Sequence, residues 1–281
     1  MLSSSSVEVQ ATASCDWLTR TFSDNKIREF VEDDFITSAA ALKAEGHETA
    51  AWSWMGYEGY SIGGLSWGRR DDGDILRISG GTAERMFDKF AHYQGNCSRV
   101  DIALTLRWPT PERHVASQAY SRLVGQSDAT KRRLYSLITN SRGGETLYVG
   151  ARASDQFGRV YDKDAEQGLQ RISCRWRYEV EFKADRAVRV LELLQPSRER
   201  GKMYLGIVRG FFEPRGVKLP PLADEQEIRV EVLAPPRQVD TQLKWLREQV
   251  SPVVGRLRRL GMEASVVEAL RLERTETHGN Q

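Results

Sequence analysis

The sequence predicts an α+β protein built on an antiparallel sheet core, with a helical C-terminal segment. Three observations carry this expectation. Several stretches alternate polar and apolar residues with period two, the mark of half-buried strands, and the clearest runs from Arg175 to Lys183. Turn residues such as Arg70-Asp71-Asp72-Gly73 sit between neighbouring strands, as in hairpins, which are antiparallel. Helical stretches interrupt the strands in the order β-α-β-β-α-β over the first hundred residues. Strands and helices then alternate again, which admits a duplicated β-α-β-β-α-β core.

In chain order, residues 1–14 are rich in serine and read as a disordered lead-in. Asp16 to Phe22 is the first expected strand. Asn25 to Glu45 reads as an amphipathic helix, with Ser23 or Asp24 as N-cap and Gly46 as its stop. Strands follow over Tyr57–Trp67 and Asp74–Ser79, then a helix over Thr82–His92 and a strand over Ser98–Trp108. Pro109 and Pro111 break the chain before a helix near Glu112–Val124. The next block is rich in strands: Arg133–Ile138, Thr146–Ala151, Gly158–Lys163 and Cys174–Ala184. Helices near Asp185–Leu194 and Arg198–Phe211 complete an α+β unit over 15–213. The Pro-rich stretch 214–238 reads as a linker, 239–274 as the helical segment and 275–281 as a polar tail.

Composition narrows the function classes. Hydrophobic residues make up 40% and charged residues 28% of the 281, as in a soluble globular protein with a sizeable core. Lys+Arg 41 against Asp+Glu 39 leaves a formal charge of +2. That excludes a histone-like coat of positive charge and permits a basic groove on one face. Cys15, Cys97 and Cys174 form neither a disulfide framework nor a CxxC site, so a reducing, cytoplasmic setting is expected. No apolar run is long enough to cross a membrane, and the N-terminus lacks the pattern of a signal peptide. The four histidines are scattered, and HExxH, GxSxG and Walker A patterns are absent.

Three segments could carry chemistry. In Arg175–Lys183 one strand face holds Arg175, Arg177, Glu179, Glu181 and Lys183, and the other holds Trp176, Tyr178, Val180 and Phe182. The charged face suits a solvated surface laced with salt bridges. Such a surface is the usual role of these strands, but the face would also suit a site where carboxylates hold a divalent cation beside a phosphate bound by basic groups. On Ser98–Trp108, Asp101 is the lone acid of its face, fitted either for a salt bridge to Arg99 or Arg107 or for a third ligand beside Glu179 and Glu181. In Gly158–Lys163, Tyr161 shares a face with Arg159 and Lys163, whose positive charge is expected to ease its ionisation and activate it as a nucleophile. The plain alternative is a half-buried strand tyrosine among surface charges.

These segments resemble the replication initiation factor (Rep_trans) family, which initiates rolling-circle replication of plasmids and filamentous phages and includes related conjugative nickases. The resemblance rests on Asp16-Trp17-Leu18-Thr19, Arg99-Val100-Asp101-Ile102-Ala103 and Thr146-Leu147-Tyr148-Val149-Gly150-Ala151-Arg152. It continues through Arg159-Val160-Tyr161-Asp162-Lys163 and Arg177-Tyr178-Glu179-Val180-Glu181-Phe182-Lys183 to Trp245-Leu246-Arg247-Glu248-Gln249-Val250-Ser251-Pro252. The pieces occur in family order across roughly residues 15–260.

The resemblance implies a nickase that cuts one strand at an origin by attack of Tyr161, leaving a 5′-phosphotyrosyl adduct and a free 3′ hydroxyl. It implies a divalent cation, Mg²⁺ or Mn²⁺, with Asp101, Glu179 and Glu181 as ligand candidates. Arg159, Lys163, Arg177 and Lys183 become phosphate contacts, and Tyr148 is the second choice of nucleophile. Thr105 stands where many relatives carry a second acid. The implied partner is origin DNA, single-stranded or extruded as a hairpin, with room for a host helicase and polymerase and for a homodimer, and with no membrane. A conjugative relaxase of the same chemistry and a non-catalytic origin-binding regulator are the alternatives.

Overall fold

The computed structural model describes residues 9–109, 114–126, 134–140, 144–169, 174–194, 200–222, Val230 and a few positions between 251 and 262. Ten strands form one antiparallel sheet. They are β1 (Gln10–Phe22), β2 (Thr49–Trp54), β3 (Tyr57–Ile62), β4 (Leu65–Arg70), β5 (Gly73–Ser79), β6 (Asn96–Arg107), β7 (Tyr135–Thr139), β8 (Glu145–Val149), β9 (Gln156–Asp162) and β10 (Arg175–Lys183). The described helices are α1 (Asn25–Ala44), α2 (Gly81–Ala91), α3 (Val115–Gln126), α4 (Lys163–Glu166), α5 (Ala184–Leu194) and α6 (Arg200–Phe212), followed by a 3₁₀ turn at Glu213–Arg215.

The strand order is β2-β3-β4-β5-β1-β6-β10-β9-β8-β7. Read outward from the centre, β1-β5-β4-β3-β2 matches β6-β10-β9-β8-β7. Helices α1 and α3 follow the first strand of each half, and α2 and α5 follow the fifth. The chain is therefore a duplication, two five-stranded repeats joined edge to edge through β1 and β6 about a pseudo-twofold axis. Each repeat is β-α-β-β-β-β-α, with the short α4 added before the last strand of the second; the sequence suggested two strands between the helices of the first repeat and four in the second.

The difference has a local cause in the first repeat. The expected strand Tyr57–Trp67 is two strands, because Gly63 and Gly64 both take positive φ, 52° and 85°. Two such residues make the tight turn that matches strand twist. Met55 and Gly56, at 50° and 81°, make a second turn of this kind and create β2, which the sequence reading missed. At the N-terminus β1 begins at Gln10, inside the expected lead-in, because Gln10 to Ser14 pair with Arg107 to Ala103 of β6. Asp24 is the N-cap of α1, accepting from the amides of Lys26 and Ile27 at 2.9 and 3.1 Å.

The longer helices cover one face of the sheet. Leu18, Val100, Ile102, Leu104, Val180 and Phe182 point to that side and are buried with Phe87, Leu191, Phe211 and Phe212. The expected linker does not begin as a free segment: Val217 and Leu219 are buried in this core. Contacts divide the chain into Met1–Val232 and Leu233–Gln281. The helical segment expected over 239–274 lies outside the described residues apart from a few positions. Among the described residues no helix is long and apolar enough to cross a membrane.

Candidate active site

The sheet's second face carries the charged residues, and strand register brings them together in rows. One row is Tyr148, Arg159, Glu179 and Ala103 across β8, β9, β10 and β6. The next is Thr146, Tyr161, Arg177 and Thr105 on the same strands. On the other side of the first row lie Phe157, Glu181, Asp101 and Trp17 on β9, β10, β6 and β1. Period-two alternation thus puts Tyr161 and all three predicted carboxylates on one face, and Asp101 directly opposite Glu181.

Each carboxylate meets a cation. Arg99 donates to both Asp101 oxygens at 2.8 and 2.5 Å and also reaches Glu181 at 2.9 Å. The second Glu181 oxygen lies 2.6 Å from Lys183 Nζ. Arg159 pairs with Glu179. Asp101 and Glu179 are each only 1% exposed. Burial pushes the Asp101 carboxyl up to about 7; Arg99 opposes the rise, and Glu179 and Glu181 add to it.

Tyr161 donates its hydroxyl to Glu179 Oε2 at 3.0 Å. Arg159 and Lys163 lie over its ring at 5.5 and 5.6 Å. The expected easing of its ionisation is reversed here. Burial first, then the negative charge of Glu179, raises its pKa well above the usual phenol value, against the opposing pull of Arg177 and Arg159. Lys163 is also not a strand residue. It opens α4, because the Asp162 side chain caps that helix through the amides of Asp164 and Ala165, and its Nζ pairs with Glu166 at 2.6 Å.

The remaining predicted residues are on this face and engaged. Arg177 donates to Thr105 Oγ1 at 3.0 Å and to Asp16 at 2.8 Å, so Thr105 serves to hold an arginine. Lys183 also donates to the carbonyl of Arg152 at 2.8 Å. Tyr148 is half-buried and stacks on Phe157 at 5.6 Å, one strand away from Tyr161. Sequence reasoning missed Asp16, which orients Arg177, and Arg77, which stacks on Trp17 and Trp52 of the same face at 5.1 and 5.0 Å. A lone cation between Ile75 and Ile78 was the available signal for Arg77.

Among the described residues no three acidic, His or Cys groups stand together as a ready-made metal cage. Three carboxylates share a face, two of them directly opposite each other, and the Arg99 guanidinium bridges that pair.

The sequence profile of the replication initiation factor family matches residues 95–270. No curated protein sequence matches the chain. Among solved structures, the chain is similar to the rolling-circle replication initiator protein from Geobacillus stearothermophilus. The TM-score is 0.53 and the identity 18%, over 79% of this chain and 94% of that one. At that identity the likeness speaks for a shared α+β fold. The family match covers more than half of the chain and includes the sheet rows that hold Asp101, Tyr161, Glu179 and Glu181, and the chain belongs to the replication initiation factor family.

Proposed function

We propose that the chain nicks one DNA strand at a rolling-circle origin, with Tyr161 as nucleophile. The observation that carries this reading is the hydrogen bond from the Tyr161 hydroxyl to Glu179, on a sheet face that also holds Asp101, Glu181 and Arg177. A phenol is a weak nucleophile until a neighbouring base takes its proton. Glu179 is in place to accept it as the phenol oxygen bonds to phosphorus. The bond from phosphorus to the 3′ oxygen then breaks, and that oxygen takes a proton from solvent to become a free 3′ hydroxyl able to prime a polymerase, while Glu179 returns its proton to solvent. The strand keeps a 5′ phosphate ester to Tyr161, which preserves the bond energy for religation.

Asp101, Glu179 and Glu181 would hold the divalent cation, Mg²⁺ or Mn²⁺, whose role when bound is to neutralise charge on the scissile phosphate. Arg159, Arg177, Lys163 and Lys183 surround the same place with positive charge and would contact the DNA backbone. The substrate is single-stranded or extruded DNA, whose unpaired bases are free to lie against the aromatic side chains of this face. Such work on replicating DNA belongs in the cytoplasm. A conjugative relaxase would use the same groups in the same way.

A non-catalytic origin-binding regulator is favoured by one observation, the pairing of every site carboxylate with a cation. Incubation of the full chain with a supercoiled origin plasmid in Mg²⁺ or Mn²⁺ separates the two readings. The nicking reading expects open circles and a protein–DNA adduct; origin binding with neither product supports the regulator.

A further inference from the structure

The duplication gives the nicking face a counterpart in the first repeat. The register of β1 with β5 matches that of β6 with β10, so that Trp17 corresponds to Arg99, Thr19 to Asp101 and Arg77 to Glu181. Where the second repeat has acids, the first has an arginine, a hydroxyl and aromatic rings. The two sets are neighbours, because β1 and β6 are adjacent.

Arg77 is the unusual member. Its guanidinium stacks between Trp52 and Trp17, at 5.0 and 5.1 Å, and Arg99 lies over Trp17 from the β6 side at 4.4 Å. Trp52 can lie this low because Gly68 is beneath it: a Cβ there would stand 2.8 Å from the ring. The Arg77 Nε is buried and has no hydrogen-bond partner. Among the described residues Arg77 pairs with no carboxylate, unlike Arg99, Arg159, Arg177 and Lys183. Burial and then the like charge of Arg99 both weigh against its ionised form. A buried donor and two facing cations are costly arrangements unless an anion completes them.

Beside Arg77 and Arg99 opens a cavity of about 380 Å³, with Lys183, Trp54 and the hydroxyl residues Thr19 and Ser98 also on its walls. Its size falls within the range of small-ligand sites, roughly 300–1,000 Å³. Trp54, at the end of β2, is 42% exposed, a large ring left partly in water. Exposed indoles beside cations are what a stacked base and its phosphate require.

We propose that this cavity holds one nucleotide of the single strand flanking the scissile bond, with its base on Trp54 and its phosphate between Arg77, Arg99 and Lys183. Arg99 and Lys183 border both places, contacting the carboxylates on one side and lining the cavity on the other. Lys183 lies six residues along β10 from Arg177, the cross-strand partner of Tyr161, roughly 20 Å at strand rise. The bound nucleotide is therefore a few positions away from the cut. This assignment rests on the reading of the face as a DNA-nicking site, and it makes the first repeat the part that threads the strand.

The test measures binding of a labelled single-stranded origin oligonucleotide to the full chain and to Arg77→Gln, Trp54→Ala and Trp54→Phe, each shown to be folded by its melting curve. Adduct formation is measured in parallel. The Gln and Ala variants are expected to weaken binding about tenfold, in line with the worth of one stacked base. Trp54→Phe should keep most of the affinity, and Arg77→Gln should lower the salt slope by about one contact. Wild-type affinity in folded Arg77→Gln and Trp54→Ala, with the adduct still formed, overturns the cavity and leaves the nicking reading intact. Loss of affinity in both, with no adduct from the wild-type chain, supports the cavity and overturns the nicking reading.

Discussion

At the scale of single residues, Asp101 shows what the site costs. Its carboxyl is buried, faces two other acids and is held near neutral pH, about 7. A folded-state pKa raised above the unfolded value of about 3.9 makes the folded protein bind the extra proton. Stability from this group is then greatest in acid, falls as pH rises between those two values and is lowest above about 7. Asp101→Asn removes the penalty. Its melting temperature should exceed that of the wild type at pH 8, by about 2–4 °C for each kcal/mol relieved, and the gap should close by pH 4. Thermal melts across pH in chelator check this, and added Mn²⁺ should raise the wild-type value more than that of the variant. A pH-independent gap would mean that Asp101 does not titrate as described. The sequence made Asp101 conspicuous as a lone strand acid with two readings, ion pair and metal ligand. The structure supplies the Arg99 ion pair, and the two readings are compatible because a cation and a guanidinium want the same carboxylates. Tyr161 was legible in its face and neighbours but not in its protonation. Flanking charges are visible in sequence, whereas the burial and the Glu179 contact that outweigh them come from the fold.

At the scale of elements, the strands of the second repeat were the most legible, because their alternation is strict and one face is buried. The hairpins of the first repeat were less so. The expected strand Tyr57–Trp67 runs straight through Gly63 and Gly64, and the turn at Met55-Gly56 puts a non-glycine residue at positive φ. Two contacts that fix helices to the sheet give further tests. Arg20 is buried in the core and donates to the carbonyls of Ala91 and Gly95, at 2.8 and 3.1 Å, and to that of Tyr93, tying the end of α2 to β1. Arg20→Met leaves these acceptors without their charged donor and should cost about 3 kcal/mol in urea denaturation. A loss below about 0.5 kcal/mol would show that water replaces the guanidinium. Gly158 lets α6 lie close on β9, since a Cβ there would stand 2.2 Å from the Phe211 ring. Gly158→Ala should destabilise by about 1–3 kcal/mol through overpacking. It should leave the open face, and so DNA binding by the folded fraction, unchanged. Neither contact was legible in sequence, because each joins residues 50 or more positions apart.

At the scale of the whole molecule, duplication explains how one sheet can serve two tasks. Twofold-related positions on a continuous face began with the same geometry and now carry acids in one repeat and an arginine with aromatic rings in the other. The second repeat then holds the groups proposed for phosphoryl chemistry, and the first holds those proposed to position the strand. The sequence suggested the duplication from its alternating elements alone, but the number of strands in the first repeat depended on turns that only φ angles reveal. If the proposed chemistry holds, Tyr161 becomes joined to DNA. This is tested most directly by isolating the adduct formed on a single-stranded origin oligonucleotide, digesting it, and mapping the modified peptide by mass spectrometry. A 5′-phosphate ester on Tyr161 is expected, with its complete loss in folded Tyr161→Phe and Tyr148→Phe still forming the adduct. An adduct that persists in Tyr161→Phe and maps to Tyr148 would contradict it.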